Sequence, residues 1–169
     1  MDPMDKIYQK YAQYVYKYLM SITHNSDLSE ELTQETFYQA VKSANRYDGS
    51  CQVTTWLCAI AKNRYMAYLK KNPAQESLEA MDEEYGYTAA KECESPETQT
   101  VSKESRLRVL KMLHSMDEPY REVIYLRLME DLSFSDIGEV MGKSENWARV
   151  TFFRGKEKLK KEIENNEEI

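Results

Sequence analysis

Glycine and proline are scarce, five and four in 169 residues. That scarcity excludes a turn-rich β-sandwich, a collagen and a glycine-rich disordered chain. Cysteine is nearly absent. Cys51, Cys58 and Cys93 are odd in number and no two stand at metal-ligand spacing. A disulfide framework and a cysteine zinc site are thereby excluded, a reducing cytoplasm fits, and the three read as buried thiols. The two histidines, His24 and His114, have no Cys or His at ligand spacing and read as surface or capping residues. No run of about 18 apolar residues occurs, so no membrane span is expected. Met1-Asp2-Pro3-Met4-Asp5-Lys6 lacks a basic and then apolar leader pattern, so no signal peptide is expected. Positive charge is in deficit as well, 23 Lys and Arg against 29 Asp and Glu, a net −6. Taken over the whole chain, that number argues against nucleic-acid binding, which needs cations for phosphate. No catalytic constellation, metal cluster or cofactor motif stands out.

The charge is unevenly divided. Residues 1–71 carry nine bases against seven acids, residues 72–104 two against nine, and residues 105–169 twelve against thirteen. Within the last part, residues 142–161 hold seven bases and only Glu145 and Glu157. The acid excess sits in the middle and in the tail Glu162, Glu164, Glu167 and Glu168. The middle opens at Asn72-Pro73, which disfavours helix at Asn72, and is too poor in branched apolar residues to repay its ordering entropy. It reads as a flexible linker with a short helix around Ser77–Glu84.

On either side the apolar residues recur at helical spacing. Ile7, Tyr11, Tyr14, Val15, Tyr18, Leu19 and Ile22 form one stripe. Asn25-Ser26-Asp27 supplies a cap, and Leu28, Leu32, Phe37, Ala40, Val41 and Ala44 follow. A third helix, Thr54 to Lys71, carries Trp56, Leu57, Ile60, Ala61, Tyr65 and Leu69. In the second half, Leu107, Leu110, Met112 and Leu113 mark one helix. Asp117-Glu118-Pro119 begins another, with Pro tolerated in its first turn. Ser133-Phe134-Ser135-Asp136 is a loose capping box for a short helix bearing Ile137, Val140 and Met141. Gly142-Lys143-Ser144 makes a tight, capped turn. A long helix then runs from Glu145 to Ile163 with Ala148, Phe152, Gly155 and Leu159 in register.

A short capped helix, a glycine turn and a longer basic helix make a helix-turn-helix pattern. Trp147, Arg149, Val150, Thr151, Arg154 and Lys158 are read on the face opposite Ala148 and Gly155. Any one of these cations alone reads as a solvated face; the capped helix and turn before them favour DNA, with Arg forking to guanine or phosphate.

Three stretches carry a resemblance to the extracytoplasmic-function (ECF, group IV) sigma factors of bacterial RNA polymerase. Asp27 through Phe37, ending Gln34-Glu35-Thr36-Phe37, is similar to the family's acidic region 2 segment. Thr55-Trp56-Leu57-Cys58-Ala59-Ile60-Ala61-Lys62-Asn63 is similar to its Trp-Leu-x-x-Ile-Ala-x-Asn helix. Tyr120-Arg121-Glu122-Val123, Ser135-Asp136-Ile137-Gly138 and Ser144 through Leu159 are similar to its region 4 helix-turn-helix.

The resemblance implies an all-α chain of two small helical domains. A region 2 bundle of three or four helices would occupy 1–71, a flexible acidic linker 72–102, region 4 residues 103–163, and an acidic tail 164–169. It implies that Asp27, Glu30, Glu31, Gln34 and Glu35 bind the clamp helices of core RNA polymerase, with the flap as a further polymerase contact. Tyr47, Gly49, Ser50 and Gln52 belong to the loop that would hold a flipped minus-ten base, with Trp56 either a wall of that pocket or core. Asn63, Arg64, Lys70 and Lys71 would meet the non-template strand. Ser144, Asn146, Trp147, Arg149, Val150, Thr151, Arg154 and Lys158 would enter the minus-thirty-five major groove, with Arg127, Ser144 and Lys156 near phosphates. Asn146-Trp147-Ala148-Arg149-Val150-Thr151 departs from the family's frequent Gly-Thr-Val-Lys-Ser-Arg, so base preference does not carry over.

The partners implied are core polymerase, promoter DNA and an anti-sigma factor, which in many members is membrane-anchored. The free protein is expected to be a cytoplasmic monomer and not an enzyme, with no cofactor, metal or small-molecule substrate. A stand-alone helix-turn-helix regulator is the alternative; that class needs a dimer interface or ligand pocket.

Overall fold

The computed structural model describes residues 2–73 and 103–167. Most of the segment read as a linker, including the helix expected around Ser77–Glu84 and Cys93, lies outside the described residues. Those described form seven α-helices: α1 (Pro3–Thr23), α2 (Ser26–Lys42), α3 (Val53–Lys71), α4 (Lys103–Ser115), α5 (Tyr120–Leu128), α6 (Phe134–Met141) and α7 (Glu145–Glu167), with a 3₁₀ turn at Ala44–Arg46.

Local chemistry sets most helix ends. The Asp2 carboxylate accepts the Met4 N–H at 3.1 Å, and Pro3 takes the first position, where a missing N–H costs nothing. His24 closes α1 in the left-handed region at φ 54°. Asn25 then accepts the Leu28 N–H at 3.0 Å and starts α2. Pro119 caps α5, which begins at Tyr120. No glycine or proline follows Gly155, and α7 runs on to Glu167. Residues 164–167, expected as a separate tail, are its last turn.

In the N-terminal half α1, α2 and α3 pack on one another. Val15, Tyr18, Leu19, Leu32, Phe37, Ala40, Leu57, Cys58 and Ala61 are buried between them. The buried hydroxyls of Thr33 and Thr36 donate to the Ser29 and Leu32 carbonyls at 2.6 and 2.7 Å, so their burial leaves no unmade bond. Val41 and Ala44, expected on the inner stripe, are exposed. In the C-terminal half α5 is central, with Val123, Ile124, Tyr125 and Leu126 all buried, and α7 crosses it. Gly155 makes that crossing possible: a Cβ there would stand 2.8 Å from Ile124 Cδ1 and 3.1 Å from Tyr120 Cβ.

The two halves are docked. α6 lies on α3 and α5 on α1, and one buried apolar cluster includes residues of both.

Candidate nucleic-acid and polymerase interface

The helix-turn-helix is built by three polar contacts and two glycines. Ser133 Oγ accepts the Asp136 N–H at 3.1 Å and starts α6. Gly142 takes φ +66° at its end, and the Lys143 N–H donates back to the Gly138 carbonyl at 2.7 Å. Ser144 Oγ accepts the Trp147 N–H at 3.0 Å and starts α7. Gly138 lets this turn fold tightly, since a Cβ there would meet Lys143 O at 2.8 Å and Ser144 C and O at 2.9 Å. The need for glycine at 138 has no periodic signal in the sequence.

Ser144, Asn146, Arg149, Val150, Arg154, Lys156 and Lys158 are exposed along α7, and Trp147 is half-buried. Thr151 departs from the expectation. It is 6% exposed, because it stands three residues after Ala148 and four before Gly155, on the inward face. Its side chain is therefore not offered to a groove. Phe134, first in α6, organises two of the cations. The guanidinium of Arg127 lies 4.4 Å from its ring centroid and that of Arg149 5.5 Å. Arg127 also donates to the Leu132 carbonyl at 3.0 Å, and Arg149 pairs with Glu145 at 3.2 Å. The Lys158 ammonium sits 4.4 Å over Tyr120. Such contacts fix long side chains that would otherwise roam.

The 47–53 segment is a compact turn. The Tyr47 hydroxyl donates to the Cys51 carbonyl at 2.5 Å, and its ring stacks on Trp56 at 4.9 Å and 30°. Gly49 has φ +79°. The Ser50 N–H donates to the Asp48 carboxylate at 2.9 Å, and these Ser50 contacts hold that carboxyl below its usual range. Trp56 is half-buried, so it borders the core and presents a face to Tyr47 as well. Gly49, Ser50, Gln52, Asn63, Lys70 and Lys71 are exposed, and Arg64 partly so.

On α2 the side chains of Asp27, Glu30, Glu31, Gln34 and Glu35 are all exposed. Sequence reading missed what continues this face. Tyr38 and Val41 are 59% and 56% exposed, at the fourth and seventh positions after Gln34, which is one side of a helix.

No group of His, Cys, Asp and Glu able to hold a metal ion occurs among the described residues. Nor is any of their helices long and apolar enough to cross a membrane.

Residues 7–74 match the family model described as Sigma-70 region 2, and residues 106–159 match Sigma-70, region 4. Over 157 residues, 93% of each chain, the protein is 30% identical to the ECF RNA polymerase sigma factor SigM of Bacillus subtilis (strain 168). The chain belongs to the ECF sigma factors. It is also 31% identical to the ECF RNA polymerase sigma-E factor of Haemophilus influenzae, over 79% of this chain and 74% of that one. The fold matches the sigma factor RpoE from Bartonella quintana, solved in complex with the anti-sigma factor NepR, at TM-score 0.71 and 17% identity over 95% and 96% of the two chains. It also matches CnrH, solved with the cytosolic domain of CnrY, at TM-score 0.63 and 17% identity over 96% and 88%.

In this sigma factor the junction between the region 2 and region 4 matches is polar as well as apolar. Glu122, 2% exposed on α5, accepts from the Tyr18 hydroxyl of α1 and from Lys62 Nζ of α3, the latter at 2.7 Å. Burial and the neighbouring Glu122 raise the Tyr18 hydroxyl well above its ordinary pKa. Arg121 donates to His24 Nε2 at 2.5 Å and to the His114 carbonyl at 3.1 Å. The two imidazoles meet edge to face at 5.0 Å. Burial, and then the Arg121 charge, lowers both histidine pKa values to about 4. His114 is 8% exposed, so it is not the surface residue expected; His24 does cap α1. The Tyr125 hydroxyl donates to Glu130 Oε1 at 3.0 Å. Burial outweighs that bond and raises the Glu130 carboxyl to about 7.

Proposed function

We propose that this ECF sigma factor binds core RNA polymerase and directs promoter-specific initiation, held in check by an anti-sigma factor in a stress or envelope response. The observation that carries the reading is the pairing of two modules in one chain. One has an exposed acidic helix face beside an aromatic turn; the other has a capped helix-turn-helix with a row of exposed cations. The acidic face of α2, Asp27 to Glu35, takes the polymerase clamp. The 47–53 turn and α3 take a flipped minus-ten base and the adjoining strand; extraction of a base costs a few kcal/mol and needs a stacking wall such as the Tyr47–Trp56 pair. The exposed side of α7 enters the minus-thirty-five groove, with Arg127 and Lys156 against phosphates. The protein itself supplies positioning and strand opening, and the polymerase supplies the chemistry in the cytoplasm.

Anti-sigma control is supported by the like-folded sigma factor RpoE from Bartonella quintana, which was solved in complex with the anti-sigma factor NepR. The test is transcription from candidate promoters by purified core polymerase with this protein as sole sigma. Discrete promoter-initiated transcripts are expected. DNA binding as a dimer, with no transcript and no association with core, would favour a stand-alone regulator instead.

A further inference from the structure

α7 turns a definite side outward. Ala148, Thr151, Phe152 and Gly155 are its buried residues. Opposite them Asn146, Val150, Phe153 and Glu157 fall on one line, spaced by four, three and four residues, and all four are exposed. Arg149 stands to one side of that line and Arg154 to the other, both exposed. The outermost strip of the helix is therefore polar at Asn146, apolar at Val150 and Phe153, and acidic at Glu157. Val150 is 37% exposed and Phe153 53%. Sequence reading placed Val150 at the groove and passed over Phe153.

Phe153 is braced. Its ring meets that of Phe152 at 5.6 Å and 70°, and that of Phe134 at 6.4 Å and 43°, both within the range of aromatic pairs. A side chain already held in place loses little freedom when it touches a ligand. A lone exposed apolar residue needs no explanation. Here two neighbours share the line that a groove-bound helix aims at base edges, and the flanking guanidinium groups suit guanine or phosphate. In the major groove the apolar group on a base edge is the thymine 5-methyl. The Glu157 carboxylate repels phosphate, which confines base reading to the N-terminal part of the helix.

We propose that Val150 and Phe153 read thymine in the minus-thirty-five element through its 5-methyl group, between Arg149 and Arg154. Phe153 is thus a specificity-determining residue of this chain. The proposal rests on the major-groove reading of α7.

The test uses core polymerase carrying the full chain. A pool of random-sequence duplexes is enriched on this complex. The selected upstream element is then remade with deoxyuridine in place of each thymine in turn. That change removes one methyl and leaves the hydrogen-bonding groups of the base pair in place. At thymines facing the apolar pair it should weaken binding about fourfold, the value of one buried methyl group. Phe153→Ala and Val150→Ala should each lose thymine preference at one such position. A purely structural role for Phe153 predicts weaker binding with every preference intact.

Equal affinity for every thymine and deoxyuridine duplex overturns the proposal with no change to the protein. So does a preference that survives in both variants. Variants that lose affinity for core polymerase while selecting the same DNA would assign the apolar pair to a protein contact, which also overturns it. The major-groove reading is checked separately by Arg149→Ala and Arg154→Ala. An upstream element that weakens with either but ignores thymine methyl groups leaves that reading standing and removes the proposal alone. Enrichment of no upstream element, or of one indifferent to both arginine variants, removes the reading and the proposal with it.

Discussion

Gly155 of α7 lies so close to Ile124 of α5 that a single added methyl group would stand 2.8 Å from Ile124 Cδ1. Two effects compete in Gly155→Ala. Alanine favours the helix by about 1 kcal/mol, while overpacking costs roughly 1–3 kcal/mol. Tyr120 Cβ, at 3.1 Å, cannot swing aside as a side-chain tip can, so a net loss of about 1 kcal/mol is expected in denaturant unfolding. Gly155→Ala combined with Ile124→Val should lose less than the two single losses together, since the valine lacks the clashing atom.

The two glycines of the helix-turn-helix should rank differently from what backbone angles alone suggest. Gly142 has positive φ but nothing within 4 Å of a built Cβ, so Gly142→Ala meets only the left-handed penalty of about 1–2 kcal/mol. Gly138 has an ordinary helical conformation, yet its Cβ would strike backbone atoms of Lys143 and Ser144. Gly138→Ala should be the more damaging, about 2–3 kcal/mol, and should weaken DNA binding by changing how α6 meets α7. Thermal unfolding of the two variants side by side reads the order.

Stability near the junction should respond to pH in two opposed ways. His24 and His114 fall from 6.5 to about 4 in the folded chain. The unfolded chain then binds more protons, so their contribution is complete above pH 6.5 and is lost as pH falls toward 4. Glu130 rises from 4.5 to about 7. Here the folded chain holds the extra proton, and the contribution is lost as pH rises from 4.5 through 7. Two histidines outweigh one carboxyl between 4.5 and 6.5. Replacement of both histidines by glutamine should flatten or invert the acid side of the stability profile, and Glu130→Gln should remove the decline toward pH 7. Denaturation midpoints across that range check both signs.

Local features of this fold are legible from neighbouring residues. Asn25, Ser133, Gly142 and Ser144 announce caps and a turn because capping is a matter of two to four residues, and the apolar stripes of α1 and α3 repeat within one helix. Long-range features have no such signature. Tyr18 and Glu122 are 104 positions apart, and nothing in either neighbourhood marks a buried pair. Val41 and Thr151 show the intermediate case. Each fits a helical period, but which side of the period faces inward is decided by partner helices, so an apolar residue stands outside and a polar one inside. Likewise a surface role for His114 is natural from the sequence, because burial by the opposite half is not written near it.

The stripe of Gln34, Tyr38 and Val41 leads to an expectation for the polymerase contact. A large exposed aromatic and a valine beside polar groups fit an interface centre better than carboxylates alone, since anchors of binding energy are aromatic more often than acidic. Gln34→Ala with Glu35→Ala should impair association with core polymerase. Tyr38→Ala should cost at least as much, about 2 kcal/mol or thirtyfold in affinity. Circular dichroism should be unchanged, because all three side chains are exposed. Core binding by fluorescence anisotropy separates the cases; equal affinity for Tyr38→Ala and the parent chain would remove the apolar stripe from the contact.

Phe134 offers a way to separate charge from the placement of charge. Its ring lies under the guanidinium groups of both Arg127 and Arg149. Arg149→Ala and Arg154→Ala each remove one cation from the exposed side of α7. Each should weaken promoter binding and reduce the salt slope by about 1 where the cation meets a phosphate, while core binding stays intact. Phe134→Leu keeps every cation and most of the apolar volume but removes the aromatic face that holds them. If the cations act only as a diffuse field, Phe134→Leu should bind as the parent does. If their fixed positions matter, affinity should fall with the salt slope preserved, because the same number of phosphates is neutralised more loosely. Phe134→Tyr retains the face and should recover the loss. Loss of core binding in Arg149→Ala would instead take α7 away from DNA altogether.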